Sequence, residues 1–93
     1  MYALVCYDVP AARTVKYHKL LGKYLIRLQE SVFAGDLTEV QWKKLVKALD
    51  QVFEAGDNII AVTTSNRHNI TVKQLAGAGE WSQRTDHHGS DVI

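Results

Sequence analysis

The chain has 93 residues, 46% of them hydrophobic, so it can bury the core of one small domain and is too short for two. Its 11 basic and 10 acidic side chains leave a net charge of +1, which excludes a protein that wraps nucleic acid by overall charge. A single cysteine, Cys6, excludes a disulfide framework and a cysteine-rich zinc site. No apolar run is long enough to span a membrane and no signal peptide is recognisable, so we expect a cytoplasmic protein without membrane contact.

The first part of the chain predicts a strand, a helix and a second strand. Residues 2–7 form a continuous apolar run that stops at Asp8, which is typical of a strand covered on both faces or central in its sheet. Across residues 12–25, apolar side chains recur at helical spacing on one face. Residues 27–33 alternate between two sides, as a half-buried strand does, although Glu30 falls on the apolar side.

A second helix and another strand follow a predicted turn at Gly35 and Asp36. Thr38 and Gln41 have the spacing of a capping box, in which each side chain accepts a hydrogen bond from the other residue's backbone amide. The helical period continues towards Gly56, which is well placed to end the helix, and residues 58–64 are rich in β-branched side chains. With a short strand before the second helix, this order predicts an α+β, ferredoxin-like βαββαβ sandwich, an antiparallel sheet with both helices on one face.

The C-terminal region gives weaker signals. We assign residues 1–76 to the ferredoxin-like domain and residues 77–93 to a tail that begins at a flexible, glycine-containing joint. Residues 72–75 fit either a short strand or a turn of helix. Because the polar tail cannot pack alone, we expect it to be partly disordered or to form an edge strand, for which the sheet of a neighbouring subunit is one site.

Asp8 is the candidate metal ligand. It follows a buried strand, so a rigid scaffold would aim its carboxylate, and Mg²⁺ takes oxygen ligands while keeping several waters. Considered alone, an aspartate two residues before Pro10 favours the ordinary role of a turn or helix cap. In a homodimer, a two-fold axis near this strand end would bring two copies together, and one ion between them could activate water for phosphodiester hydrolysis.

Basic side chains on and around the first helix are candidate nucleic-acid contacts. Lys16, Lys19 and Lys23 form a stripe beside the apolar face, with Arg13 before them and Arg27 after them. Such a stripe would bind phosphates in a salt-dependent, sequence-independent manner. A solvated helix face is the commoner outcome for lysines at this spacing, whereas the two arginines favour phosphate contact because a guanidinium pairs with phosphate bidentately.

Ser31 and Phe33 share the predicted strand side of Arg27, and we treat them with Asp8 as candidate catalytic positions. A serine could orient a phosphate or a water, and an exposed phenylalanine could stack on a base or fill a dimer interface. Core packing is the ordinary alternative for the phenylalanine ring. His18 and the later histidines have no metal-ligand spacing, and no histidine is near enough in sequence to Ser31 to suggest a nucleophile and base pair.

The Tyr-Asp-Val sequence at residues 7–9, the lysine-rich first helix and above all RLQESVFAGDL at residues 27–37 resemble the Cas2 family of CRISPR adaptation proteins. The resemblance covers residues 1–64, and residues 91–93 resemble the family's last strand cut short. It implies a ferredoxin-like homodimer, an Mg²⁺ site formed by Asp8 of each subunit, and a role with the CRISPR integrase in capturing new spacers. By position, Arg27, Ser31 and Phe33 take the places of the family's arginine, serine and phenylalanine.

Two functions fit this dimer. As an enzyme it would be an Mg²⁺-dependent phosphodiesterase that cleaves single-stranded RNA or duplex DNA through Asp8. As an architectural protein it would hold duplex DNA on its basic helices and bridge integrase subunits, with catalysis elsewhere. A ferredoxin-like RNA-cleaving toxin is a third possibility. We favour the architectural role with weak or conditional nuclease activity, because the motif has one carboxylate and no general base.

Overall fold

The computed structural model describes residues 1–65, 72–76 and 79–84. A short 3₁₀ turn, Ala11–Arg13, leads into the first helix. The helices are α1 (Thr14–Gly22) and α2 (Glu39–Val52), and the strands are β1 (Tyr2–Asp8), β2 (Ile26–Gln29), β3 (Val32–Asp36), β4 (Asn58–Thr64), β5 (Val72–Ala76) and β6 (Glu80–Arg84).

The first four strands form one antiparallel sheet in the order β2-β3-β1-β4. With α1 between β1 and β2 and α2 between β3 and β4, this is the predicted ferredoxin-like βαββαβ fold, and the prediction is confirmed. β1 is central because it pairs with β3 on one side and β4 on the other, which agrees with its continuous apolar sequence. Within the part of the chain that the structure describes, no helix is long and apolar enough to cross a membrane.

The core lies between one face of the sheet and the two helices. On β1, Val5 and Tyr7 face the helices, where they meet Tyr17 and Leu21 of α1 and Leu45 of α2 in one buried cluster. Successive residues of a strand face opposite sides, so the alternate residues of β1 lie on the other face of the sheet. Neither of the two helices in the described part of the chain therefore covers that second face.

The start of α2 follows the prediction closely, whereas its end does not. The Gln41 backbone amide donates to the Thr38 hydroxyl (3.1 Å), and the Thr38 amide donates to the Gln41 side chain (2.8 Å), which completes the capping box. The helix ends at Val52 rather than next to Gly56. Gly56 instead has a φ of 98° in the turn before β4, a conformation that favours glycine.

The prediction of a single strand over residues 27–33 was wrong, because these residues form a hairpin. β2 ends at Gln29, Glu30 and Ser31 make the turn, and β3 begins at Val32. Tyr7 holds the turn through two hydrogen bonds, from its amide to the Ser31 carbonyl (3.1 Å) and from its hydroxyl to the Glu30 carbonyl (3.2 Å). The turn explains why Glu30 did not fit a strand alternation, because its side chain is exposed there.

The turn predicted at Gly35 and Asp36 was also wrong. Both residues belong to β3 and pair with Ala3 and Tyr2 of the central strand. Glycine and aspartate favour turns in isolation, but pairing with β1 overrides that local preference here.

The C-terminal region contains a second hairpin. β5 and β6 pair in antiparallel fashion, and Gly79 between them has a φ of 95°. Of the two structures allowed for residues 72–75, the strand is therefore correct. The boundary that we predicted between residues 76 and 77 falls inside this hairpin. The predicted last strand at residues 91–93 lies outside the described residues.

Candidate functional site

The Asp8 carboxylate lies at the end of the central strand. Asp8 is the last residue of β1, its side chain is exposed, and its cross-strand neighbour is Asn58, the first residue of β4. The strand ends here because the chain continues to Pro10, which has no amide hydrogen, and then enters the 3₁₀ turn. The sequence-based expectation of a carboxylate presented at a strand end agrees with this position.

The described residues of one chain do not complete a metal site around Asp8. Among the described residues, no group of three or more His, Cys, Asp or Glu side chains is arranged to hold an ion. An exposed carboxylate does suit Mg²⁺, which can bind through one or two carboxylates and keep water as its remaining ligands. The donor chemistry therefore fits Mg²⁺, provided that the remaining ligands come from solvent, substrate or a second chain.

Asp8 lies on the face of the sheet that is opposite to α1 and α2. We call this surface the open sheet face and define it by Leu4, Cys6 and Asp8 of β1 and their β4 neighbours Ile60 and Val62. Ile60 is 58% exposed and Val62 is 48% exposed, so the face presents β-branched apolar side chains to solvent. Burial raises the pKa of the Cys6 thiol, which keeps it neutral in this apolar surface. Asp8 is thus the acidic end of an apolar surface.

Next to Asp8, a buried ion pair joins the start of α1 to the start of β4. The Asp57 side chain is completely buried, and its carboxylate accepts hydrogen bonds from Arg13 Nε (3.0 Å to each oxygen), the Tyr17 hydroxyl (2.7 Å) and the Glu54 amide (3.1 Å). Arg13 also pairs with the Glu54 carboxylate at 2.9 Å and donates to the Val52 carbonyl. We call Arg13, Tyr17, Glu54 and Asp57 the Asp57 cluster.

The Asp57 cluster stabilises the charged forms of its acid and base. Hydrogen bonds from Arg13 lower the pKa of Asp57 from 3.8 to about 2, and the same bonds raise the pKa of Arg13 above its usual range. Burial and the bond to Asp57 raise the pKa of Tyr17, which therefore stays a proton donor. Both acid and base are thus ionised across the physiological range.

Arg13 therefore has a different role from the one that its sequence position suggested. Its side chain is 14% exposed, and its donors are committed to Asp57, Glu54 and Val52. This geometry gives no support to a phosphate contact by Arg13. The sequence did not reveal Asp57 as its partner, because the two residues are 44 positions apart and an aspartate after glycine is typical of a turn.

The other predicted basic contacts are on the surface. Lys16 and Lys19 are exposed on α1, and Lys23 is exposed just after the helix ends. The Arg27 side chain is exposed on β2, where its Nε donates a long, 3.4 Å hydrogen bond to the Gln29 carbonyl. All four cations are accessible to a phosphate, and their contact with nucleic acid stays a prediction.

Phe33 belongs to the core, which was the ordinary alternative for this ring, and it lacks the exposure that a base contact requires. Its side chain is 1% exposed and stacks on Tyr7 with ring centroids 6.3 Å apart. A buried ring cannot stack on a base, so the geometry does not support a catalytic contact.

Ser31, by contrast, is half-buried in the β2–β3 turn. Its backbone carbonyl accepts a hydrogen bond from the amide of Tyr7, which is the residue before Asp8 in β1. The structure therefore brings Ser31 towards the Asp8 end of the sheet, and its catalytic role stays a prediction.

We predict that Phe33→Leu will act on stability rather than on chemistry. The smaller side chain should lower the free energy of unfolding by about 1 kcal/mol, since it leaves part of the Phe33 site unfilled. Any nuclease rate, measured per folded molecule and with urea unfolding in parallel, should stay within about twofold of the wild type. A sharp fall in the cleavage rate of a stably folded Phe33→Leu variant would contradict this prediction and would support a substrate contact by the Phe33 ring.

Comparison with known proteins identifies the family. The sequence pattern of the family described as "CRISPR associated protein Cas2" matches residues 1–71. A Haloferax volcanii protein named CRISPR-associated endoribonuclease Cas2 is 41% identical over 84 residues, which cover 90% of this chain and 98% of that protein. A Methanosarcina acetivorans protein of the same name is 32% identical over 76 residues, or 81% of this chain and 87% of that protein.

A solved structure gives the same result as the sequences. The Streptococcus pyogenes Cas2 crystal structure at pH 6.5 superposes with a TM-score of 0.64 and 27% identity, covering 74% of this chain and 93% of that one. The sequence match and the shared ferredoxin-like fold together confirm the resemblance noted at residues 27–37. The chain therefore belongs to the Cas2 family of CRISPR-associated proteins.

Proposed function

We propose that this protein acts as a homodimer in CRISPR adaptation, where it binds duplex DNA together with the integrase. We further propose that it has a weak or conditional Mg²⁺-dependent nuclease activity centred on two copies of Asp8. The relatives in Haloferax volcanii and Methanosarcina acetivorans are named endoribonucleases, which supports RNA as a substrate to test first. Family membership favours this role over that of an unrelated RNA-cleaving toxin.

One observation carries the proposal, namely that Asp8 ends an exposed apolar sheet face. Ile60 and Val62 are about half exposed, and burying them against an equivalent surface would remove apolar area from water. In a two-fold dimer the same patch is used by both subunits. Pairing of two open sheet faces with an axis near the end of β1 would bring the two Asp8 carboxylates opposite each other.

The protein groups of this site would bind and orient substrate. When bound, Mg²⁺ would supply an activated water and offset charge on the phosphodiester. The two Asp8 carboxylates would hold the ion. The hydroxyl of Ser31, whose backbone carbonyl accepts the Tyr7 amide, would orient a phosphate oxygen or a water. Without a cation the two carboxylates would repel each other, so the ion would also stabilise the dimer.

The exposed cations supply the nucleic-acid contacts in this proposal. Lys16, Lys19 and Lys23 lie on and just after α1, and Arg27 lies on β2. Each phosphate contact would release counterions, so binding should weaken as salt rises. The overall charge of +1 is too small for binding without such a local surface.

The experiment that tests the proposal is Ile60→Lys, with Val40→Lys as its control. Ile60 and Val40 are similarly exposed, at 58% and 62%, but Val40 lies on α2 and not on the open sheet face. We expect Ile60→Lys to sediment as a monomer, because it places two desolvated ammonium groups in the interface, and to lose Mg²⁺-dependent RNA cleavage. Val40→Lys should remain a dimer and cleave normally.

Sedimentation and cleavage are both needed to interpret the Ile60 variant. A wild-type chain that sediments as a monomer at micromolar concentration would contradict the dimer. An Ile60→Lys monomer that cleaves RNA at the wild-type rate would contradict a site shared between subunits. Circular dichroism of both variants would show whether the fold is retained.

A further inference from the structure

A small cavity on the helix-covered face lies apart from the open sheet face. Its volume is about 190 Å³, and it is lined by Tyr7, Thr14, Val15, His18, Arg27 and Glu30. Pockets for drug-sized ligands usually measure about 300 Å³ or more, so this one suits a single ring system. The element order brings α1, the end of β1 and the β2–β3 turn together here, although these residues are dispersed along the sequence.

Aromatic side chains form one part of the cavity. The His18 ring is exposed to solvent and meets Phe33 edge-on, with ring centroids 5.7 Å apart. Phe33 is itself stacked on Tyr7, which in turn is stacked on Tyr17 at 5.4 Å. The buried rings thus pack against an exposed imidazole, which offers a flat surface on which another ring can stack.

Two groups of opposite charge form the polar part. Arg27 and Glu30 both line the cavity, and both side chains are exposed. Within the described residues, the two side chains do not form an ion pair with each other. Both lie near the Tyr7 hydroxyl, whose pKa Arg27 lowers and Glu30 raises, although burial raises it more. The cavity therefore offers a guanidinium for an anion and a carboxylate for hydrogen-bond donors.

We propose that this cavity binds one unpaired nucleobase of a single-stranded segment. The base would stack on His18, present its hydrogen-bond donors to the Glu30 carboxylate, and leave its phosphate beside Arg27. Stacking on histidine or arginine, combined with hydrogen bonds to a base edge, is how proteins recognise unpaired bases in RNA. The inference deepens the proposed function, because it rests on the chain's handling of nucleic acid.

The carboxylate makes the cavity selective. An ionised Glu30 only accepts hydrogen bonds, so it favours bases that present N–H groups at their edge. Guanine presents two adjacent donors that match the two oxygens of one carboxylate, whereas uracil presents a single donor between two carbonyls. Guanine should therefore bind most tightly and uracil most weakly.

The test compares short oligouridine RNAs that differ only in one central base, which is guanine, adenine or uracil. Binding is measured by fluorescence anisotropy in EDTA, so that metal-dependent cleavage cannot change the probe. We expect the guanine-containing RNA to bind roughly tenfold more tightly than the all-uridine RNA, as one bidentate base contact provides. His18→Ala should weaken binding of the guanine RNA by roughly tenfold through the loss of stacking.

The Glu30→Gln variant gives the sharpest outcome. Its backbone carbonyl can still accept the Tyr7 hydroxyl bond, so the turn is retained, but the amide now donates as well as accepts. The preference should move from guanine towards adenine, which pairs with a glutamine amide. Glu39→Gln, an exposed acid at the start of α2, is the matched control and should keep the guanine preference.

The outcomes separate this inference from the proposed function. If the wild type binds all three RNAs equally, or if Glu30→Gln leaves the guanine preference unchanged, the base pocket is refuted while nucleic-acid binding stands. Binding of duplex DNA alone, with no affinity for any of the RNAs, would likewise refute the pocket and leave the architectural role. Failure to bind any RNA or duplex would refute both proposals.

Discussion

Asp8→Ala should lower Mg²⁺-dependent RNA cleavage by about 100-fold or more, because the ion that it would help to hold contributes several kcal/mol to charge stabilisation in such reactions. The substitution should leave the fold intact. The Asp8 side chain is exposed, and its place in β1 depends on backbone pairing with Asn58 rather than on the carboxylate. A stability change within about 0.5 kcal/mol is expected at such a surface position.

The Asp8 experiment needs two readouts, since catalysis and assembly make different demands on the dimer. Cleavage is measured on single-stranded RNA with Mg²⁺, and spacer integration is measured separately with the CRISPR integrase. Asp50→Ala, which removes an exposed acid from α2, is the control and should be unaffected in both assays. Unchanged cleavage in Asp8→Ala would refute the nuclease mechanism, and lost integration by a folded variant would argue against a purely architectural role.

Asp57→Asn should cause a large loss of stability. The neutral amide cannot balance the Arg13 charge, and one of its two polar atoms is a donor that would face the donors of Arg13 and Tyr17. Removing one partner of a buried pair leaves an uncompensated charge, so we expect the melting temperature to fall by roughly 10 °C or more. Asp50→Asn, at an exposed position on α2, should melt within about 3 °C of the wild type.

The same variant should change the dependence of stability on pH. Folding lowers the pKa of Asp57 from 3.8 to about 2. The ionised carboxylate therefore contributes its full stability at pH values above 3.8. That contribution is lost as the pH falls through this interval, and the wild type should become steeply less stable there. Asp57→Asn should have a flatter thermal denaturation profile over the interval. Equal slopes for both proteins would contradict the assignment of this ion pair.

Several elements could be predicted because their signals are local. The capping box that starts α2 and the unbroken apolar run of β1 are both patterns of neighbouring residues, and the structure has both where expected. The β2–β3 turn was missed because Glu30 and Ser31 carry no glycine or proline signal. It is held by Tyr7, which is more than 20 positions away.

The site was harder to predict than the fold, because its partners are distant in sequence. Arg13 has the sequence position of a phosphate ligand, but its guanidinium pairs with Asp57. His18 and Arg27 line one cavity, although they lie on α1 and β2 and share no sequence motif. Alternation assigned Phe33 to the side of Arg27, which is correct, but it left both an exposed and a core ring open. That side faces α1, however, and the ring is buried there.

The most direct test of the central claim is the stoichiometry of metal binding. Isothermal titration of the dimer with Mn²⁺, as a substitute for Mg²⁺, should give one ion for every two chains, and Asp8→Ala should abolish that binding. Protons compete for the carboxylates, so the affinity should also weaken as the pH falls. One ion for each chain, or an unchanged titration in Asp8→Ala, would show that the two Asp8 carboxylates do not share a metal.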